Sequence, residues 1–251
     1  MEVHVLASGS DGNCVVIEHD GRAVMVDAGL SLKRIAALMD LNGLEPSSLE
    51  AILVTHEHTD HTRGVGPVAR KFDVPVYCNP PTLAGGQFGR VRHVAISTLN
   101  PFSVAGFEVT PLPTSHNAAE PNAFRVAADG RNVLVATDTG YMTPEVEEAL
   151  AGADAVLLES NYDAGMLRDG PYPHFLKRLI DSDLGHLSNV ACAEALRRTS
   201  GDGRRKVFLA HLSRNNNTPD TARETVSEIT GMKRMTVDCL EFPGDTRVIR
   251  V

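Results

Sequence analysis

The chain has 251 residues, of which 42% are apolar, 22% charged and 5% aromatic, with no tryptophan. That supports a sizeable buried core in one large domain or two small ones, and it excludes a disordered chain. With 24 basic against 32 acidic residues the net charge is −8, which excludes a protein that holds nucleic acid through overall charge; a polyanion would have to meet a local patch or bound cations.

Short strands open the chain at "VHVLA", "CVVIEH" and "AVMVDAG". Residues 31–42 read as a helix, with Ser31 as its cap and Leu32, Ile35, Ala36 and Met39 on one face. A strand follows at 51–55, and a helix starts near Asp60. "NAFRVAADGRNVLVATDTG" predicts a hairpin turning on Asp129–Gly130. Next come a helix with Pro144 at its start, the strand "DAVLLESN", and a helix from "LSNVACAEALRRTSG" ending at Gly201. "KVFLAHLS" is a strand, Thr218 caps a further helix, and two strands close the chain. "GRAVMVDAGLSLKRIAALM" and "GRNVLVATDTGYMTPEVEEAL" share one order of turn, strand, Asp near Gly, and helix, which suggests two similar halves. Strands and helices interleave throughout, so the expected class is α/β, with sheet layers covered by helices.

Cys14, Cys78, Cys192 and Cys239 are scattered, which argues against a thiolate metal site or a disulfide framework and fits a reducing cytosol. The start "MEVHVLASGS" has no basic segment followed by an apolar run. No stretch reaches the roughly 18 apolar residues of a membrane span. The expectation is a cytoplasmic protein with no membrane partner.

"THEHTDH", residues 55–61, concentrates three histidines and an aspartate just after the apolar run "LEAILV". At an extended strand end, residues two apart point the same way. His56 and His58 can therefore face one metal, while Asp60 and His61, past the turn, can serve a second. Zinc takes about four ligands, so the stretch holds two incomplete sets and predicts further ligands elsewhere. Candidates stand at other strand ends: His116 closes "VTPLPTSH", Asp138 closes "NVLVATD" and His211 closes "KVFLAH". One such histidine would be an ordinary capped strand end. The recurrence of one placement points to metal.

"THEHTDH" matches the HxHxDH signature, and the chain resembles the metallo-β-lactamase superfamily over nearly its whole length. The resemblance implies one domain over residues 1–251, a four-layer αβ/βα sandwich with a two-metal site at one edge of the sheets. It assigns His56, His58 and His116 to one metal, Asp60, His61 and His211 to the other, and Asp138 to a bridging position. The segments "SGSDGNC", "DAG", "TDTG", "ESNYD", "GHLSN" and "LAHLSRNNN" together resemble the YycJ/WalJ group, which implies DNA exonuclease activity of 5′-to-3′ polarity. The chain departs from the pattern at Asn117 and Ala123, where Asp and Gly are expected. The segment between Asp138 and His211 has room only for helix, strand and helix, which excludes the RNA-processing relatives with a large inserted domain.

Two divalent ions, zinc or manganese, roughly 3.5–4 Å apart, can hold a phosphate oxygen and a hydroxide between them. The expected reaction is hydrolysis of a phosphodiester by metal-activated hydroxide. The leaving alkoxide then needs a proton. His186 in "GHLSN" is the candidate donor, oriented by Glu159 at the end of "AVLLE", a pairing that resembles the Glu and His of RNase Z-type phosphodiesterases. Asp60, His186 and Glu159 are the catalytic candidates, and nucleic acid, DNA first, is the expected substrate partner. A thioester or other small-molecule hydrolase is the rival enzyme; a non-catalytic regulatory protein is the third possibility, disfavoured by the complete ligand set.

Other polar positions carry less. Ser8, Ser10 and Asn13 line the site or shape a tight turn. Asp27 orients a ligating histidine or caps the following helix. Arg214 and Asn215 to Asn217 touch phosphate or satisfy loop backbone. Arg197, Arg198, Arg204, Arg205 and Lys206 track a nucleic-acid backbone or form a solvated helix end. Tyr141, Tyr162 and Tyr172 are the aromatics nearest the motifs.

Overall fold

The computed structural model describes residues 1–201, 203–242 and 244–251. In the first half, β1 (Glu2–Ala7), β2 (Cys14–His19) and β3 (Arg22–Val26) pair antiparallel. Helix α1 (Leu32–Leu41) returns the chain to β4 (Leu49–Leu53), parallel to β3. Helices α2 (Thr59–Thr62) and α3 (Val65–Phe72) lead to β5 (Val76–Cys78), and α4 (Pro80–Gly85) leads to β6 (His93–Ala95), both added parallel.

The second half repeats this plan. Strands β7 (Phe102–Val104), β8 (Phe107–Pro113), β9 (Asn122–Ala128) and β10 (Arg131–Ala136) pair antiparallel. Helix α5 (Pro144–Ala151) crosses to β11 (Ala155–Glu159), parallel to β10. Then α6 (Ala164–Asp169), α7 (His174–Ile180) and α8 (Asn189–Arg198) lead to β12 (Lys206–Ala210), and α9 (Pro219–Thr230) leads to β13 (Val237–Asp238). Both strands add parallel. The last strand, β14 (Arg247–Arg250), crosses back to pair with β1. The two sheets read β14-β1-β2-β3-β4-β5-β6 and β7-β8-β9-β10-β11-β12-β13. In each, the fourth strand is where antiparallel pairing gives way to parallel. The internal echo in the sequence falls on those two strands, β3 and β10, and the helices that follow them.

Strand alternation builds the layers. Val24 and Val26 of β3, Ala51 and Leu53 of β4, Phe124 and Val126 of β9, and Val133 and Val135 of β10 meet between the sheets. Their neighbours Met25 and Ile52 face Ile35, Met39 and Val68 of α1 and α3 on one outer side. Leu134 and Leu158 face Val146, Leu196 and Val226 of α5, α8 and α9 on the other. Helix, sheet, sheet, helix is the expected four-layer sandwich. Ser31, Thr143, Ser188 and Thr218 accept hydrogen bonds from the first turns of α1, α5, α8 and α9, so helix starts were readable from capping residues.

Three expectations are corrected. Helix α8 ends at Arg198, with Thr199 as its cap, rather than at Gly201. The strand expected at 51–55 ends at Leu53. The segment between Asp138 and His211 holds two helices beyond the expected helix, strand and helix: α6 and α7, both short and separated by "GPYP", which interrupts any apolar periodicity. Among the described residues no helix is long and apolar enough to cross a membrane. The four cysteines are buried and free.

Candidate metal centre

The centre lies where the parallel strands end. Beyond β4 come His56, His58, Asp60 and His61; beyond β8, His116; beyond β10, Asp138; beyond β12, His211. Glu159 is the last residue of β11. The "DAG" turn packs directly on the "HTDH" turn: Ala28 N donates to His61 O at 2.8 Å, and Asn13 N to Asp60 O at 2.8 Å. A Cβ at Gly29 would stand 1.7 Å from Asp60 O, so only glycine permits this approach. His58 is the residue before α2 rather than part of a strand. Its ring meets that of His56 through the loop, not through the strand pleat.

All seven predicted ligands converge. His56 Nε2 and His116 Nε2 lie 3.0 and 3.3 Å from His58 Nδ1. Asp60 Oδ2 lies 3.5 Å from His61 Nε2 and 3.4 Å from His211 Nε2. Asp138 reaches both groups, with Oδ2 3.1 Å from His61 Nε2 and Oδ1 3.6 Å from His116 Nε2. The candidate ligand atoms of each set, His56, His58 and His116, and Asp60, His61 and His211, lie within 4.8 Å of one another.

Four of the five histidines are held from behind. His61 Nδ1 donates to Asp27 Oδ2 at 2.7 Å. Thr55 Oγ1 donates to the same oxygen at 2.8 Å, so His56 Nδ1, 3.0 Å away, donates to Thr55 Oγ1. His116 Nδ1 donates to the Gly185 carbonyl at 2.8 Å, and His211 Nδ1 to Glu159 Oε1 at 3.0 Å. Each of these bonds places a ring proton on Nδ1 and turns Nε2 toward the centre, which is how outer partners prepare metal-binding imidazoles. His186 Nδ1 donates to Glu159 Oε1 at 2.7 Å. The other oxygen of Glu159 accepts from Thr139 N at 2.7 Å and Leu187 N at 3.3 Å.

Burial and charge pull these groups apart. Burial pushes the pKa values of His56 and His116 down. Burial also opposes charge on His61, but Asp138 and Asp27 overcome it and raise the pKa well above the usual value. At His211, burial is overcome by Asp138, Asp60 and Glu159, which raise the pKa to about 10. His186 is raised against its burial by Glu159. In return, the histidines hold Asp138, Asp60 and Glu159 below the usual carboxylate range despite burial.

These residues fit divalent cations. One ring proton on His58 can satisfy only one of the two lone pairs aimed at it. Nitrogens about 2.0 Å from a tetrahedral zinc stand roughly 3.3 Å apart, close to the separations found here. Asp138 Oδ2 is buried and accepts no hydrogen bond, although His61 Nε2 is near; a buried carboxylate oxygen without a donor is expected of a metal ligand. The cavity over the cluster has a volume of about 280 Å³ and is lined by His58, Asp60, His116, Asp138, His186 and His211.

Residues 22–212 match the family description "Beta-lactamase superfamily domain". The chain belongs to that superfamily. Within it, the chain falls in the YycJ/WalJ group of metallo-β-lactamase-fold proteins. It is 39% identical over 230 residues to the exodeoxyribonuclease YycJ of Bacillus anthracis, covering 90% of this chain and 87% of that one. It is 38% identical over 234 residues to the exodeoxyribonuclease WalJ of Streptococcus pneumoniae, covering 88% and 85%. The metallo-β-lactamase-fold protein YhfI of Bacillus subtilis superimposes with a TM-score of 0.76 over 98% of both chains at 18% identity, a likeness of fold. Membership of the superfamily and this donor set together support divalent-metal binding.

The weaker candidates separate into two groups. Asp27 takes the orienting role. Ser8 Oγ accepts from His211 N at 2.7 Å, and Asn13 Oδ1 accepts from Gly9 N at 2.9 Å while its Nδ2 lies 3.0 Å from His61 Nε2. Asn117 and Ser10 line the cavity, and Ala123 is buried in β9. Asn217 satisfies buried loop carbonyls, Asn215 donates to Tyr172 Oη, and Tyr162 is buried against Asp181. Arg214 pairs with Asp11.

The basic cluster is not at the centre. Lys206 opens β12, and His211 follows its end, roughly 16 Å away at the rise of a strand. Arg198 pairs with Glu147, and Arg205 bonds Thr199. A cavity of about 700 Å³ opens beside Arg204, Arg205 and Lys206, away from the ligand cluster.

Sequence reasoning missed Thr55, Gly185 and the wall of Leu176, Leu179, Ile180 and Leu184 around the cavity. Thr55, a polar residue at the end of a buried run, was a detectable signal. A carbonyl partner such as Gly185 leaves none.

Proposed function

We propose that the chain is a phosphodiester hydrolase acting on DNA, an exonuclease of 5′-to-3′ polarity that works in the cytoplasm as a single domain of residues 1–251. The observation that carries the reading is the Glu159–His186 pair, 2.7 Å apart, set beside the ligand cluster. A lactam nitrogen or thiolate leaves with metal help alone, whereas an alkoxide leaving group needs a proton donor. Two relatives of high identity are named exodeoxyribonucleases, which supports DNA as the substrate.

In this reading His56, His58 and His116 would hold one divalent cation, Asp60, His61 and His211 a second, and Asp138 both, with zinc or manganese as the ions. When bound, such ions supply positive charge for the phosphodiester and a nucleophile usable at neutral pH. The remaining work falls to the chain. His186 lines the cavity with Nδ1 committed to Glu159, so Nε2 is the ring nitrogen available to a leaving oxygen. Glu159 raises the pKa of His186 against burial and so favours the protonated ring. Asp60 completes the second ligand set and is partly exposed at the cavity floor. Leu176, Leu179 and Leu184 give the cavity an apolar wall that limits water on one side.

The test is digestion of end-labelled double-stranded DNA, single-stranded DNA and RNA with manganese or zinc restored, wild type beside His186→Ala. Stepwise loss from the 5′ end of DNA, slowed roughly 10²-fold in the variant, is the expected result. Absence of cleavage of any nucleic acid, with metals bound, would sink the reading and bring forward a small-molecule hydrolase.

A further inference from the structure

The cavity over the ligand cluster is not isolated. Ser10 lines it and also lines a second cavity of about 570 Å³. Leu212, the residue after His211, belongs to that second cavity as well. Ser10 and the His211–Leu212 link thus place the two cavities side by side.

The chemistry of this second cavity is mixed. Leu30, Leu38 and Leu240 line it with apolar surface. Phe242 also lines it, with 63% of its surface exposed and so open to a stacking partner. Two acidic residues share the wall, but both are neutralised: Asp11 pairs with Arg214, and Glu241 with Arg223. Arg34 is different. Among the described residues its guanidinium has no hydrogen-bond or ion-pair partner. It lies over Gly244, where φ is +93° and a Cβ would stand 2.4 Å from Arg34 Nη2, so glycine there keeps room for the arginine.

We propose that this cavity receives the nucleotide adjoining the scissile phosphate, with Arg34 on its phosphate and Phe242 stacked on its base. The inference rests on the nuclease reading above. A chain of net charge −8 must supply a local cation for each phosphate beyond the metal-held one. A guanidinium binds a phosphate through a two-pronged fork of hydrogen bonds. An aromatic face accepts any base.

The test compares two substrates in the metal-loaded protein. A single-stranded oligonucleotide has a neighbouring nucleotide; bis-p-nitrophenyl phosphate has the diester alone. Arg34 and Phe242 are both exposed, so Arg34→Ala and Phe242→Ala do not threaten the fold. Each variant should raise KM for the oligonucleotide by roughly tenfold, well beyond any change in KM for the small diester. Arg34→Lys should recover part of the loss, and Arg34→Ala should lower the salt dependence of oligonucleotide binding by about one counterion. If the wild type digests DNA and both variants keep its KM and salt slope, the cavity assignment falls and the nuclease reading stands. If the wild type digests no nucleic acid, both fall together.

Discussion

Asp27 and Asp138 occupy the same place in the two halves of the molecule. Each follows the strand where antiparallel pairing turns parallel, each sits in the left-handed region at φ 58° and 56°, and each is followed two residues later by a glycine pressed against backbone. Aspartate tolerates that conformation better than most residues. Their surroundings then set them apart. Asp27 has both oxygens occupied, by Thr55 N at 2.9 Å, Thr55 Oγ1 at 2.8 Å and His61 Nδ1 at 2.7 Å. Asp138 keeps Oδ2 without a donor, amid the Nε2 atoms of the ligand histidines. One local device thus yields a strut in the first half and a carboxylate open to a cation in the second, because what faces the carboxylate differs.

Substitutions at the two aspartates should separate these roles. Asp138→Ala removes a carboxylate shared by both ligand sets. It should lower turnover on any diester roughly 10³-fold, the equivalent of about 4 kcal/mol of transition-state stabilisation, measured at saturating metal. A variant that retains turnover within tenfold would show that Asp138 is no shared ligand. Asp27→Asn leaves the ligands in place but weakens the hold on His61 and, through Thr55, on His56. It should reduce metal affinity about 10- to 100-fold while metal in excess restores most turnover; titration against a chelator reads this directly.

His186→Ala sharpens the contrast from the side of Glu159, which serves a proposed ligand (His211) and a proposed proton donor with one oxygen. The loss should be roughly 10²-fold or more on a diester with an alkoxide leaving group. It should be much smaller on bis-p-nitrophenyl phosphate, whose phenolate leaves without a proton. Equal losses on both substrates would remove His186 from the proton-donor role.

The smallest effect is a count of protons. In the metal-free protein His61 and His211 are held protonated near neutral pH by their carboxylate neighbours, His211 to about pH 10. A ring nitrogen must lose its proton to bind a cation. Loading should therefore release about two protons near neutral pH, and affinity should climb as pH rises. Titration calorimetry in buffers of different ionisation enthalpy gives the number; none released would show that these rings are not ligands. The linked stability runs the other way. The raised pKa of His211 stabilises the metal-free fold fully below its ordinary value of 6.5, and that contribution is lost as pH climbs through about 10. Thermal unfolding of the metal-free protein from pH 6 to pH 10 should show the decline.

Much of the site was legible before any coordinates. His56, His116, Asp138 and His211 are each the first strong ligand type after an apolar run, His58, Asp60 and His61 follow His56 within the same motif, and the fold delivers these positions to one edge because parallel strands share a direction. The Glu159–His186 pair also stood at a strand end and a loop before a helix. The far placement of Lys206 was implicit in reading "KVFLAHLS" as a strand; that of its arginine neighbours was not legible. A basic residue at the start of β12 and a histidine at its end are five positions apart in sequence but lie at opposite edges of the sheet.

The sequence by itself determined the alternation of strand and helix, the capping of the long helices, the repeat of the two halves and the identity of the ligand types, since each depends on spacing within a short window. The tertiary structure alone decided which aspartate has both oxygens occupied and which keeps one open to the cluster, which oxygen fixes each imidazole, and that α7 walls the cavity. Those outcomes depend on contacts between residues far apart in the chain: Thr55 with Asp27, Gly185 with His116, Glu159 with His211. No local periodicity records which strand end will face which.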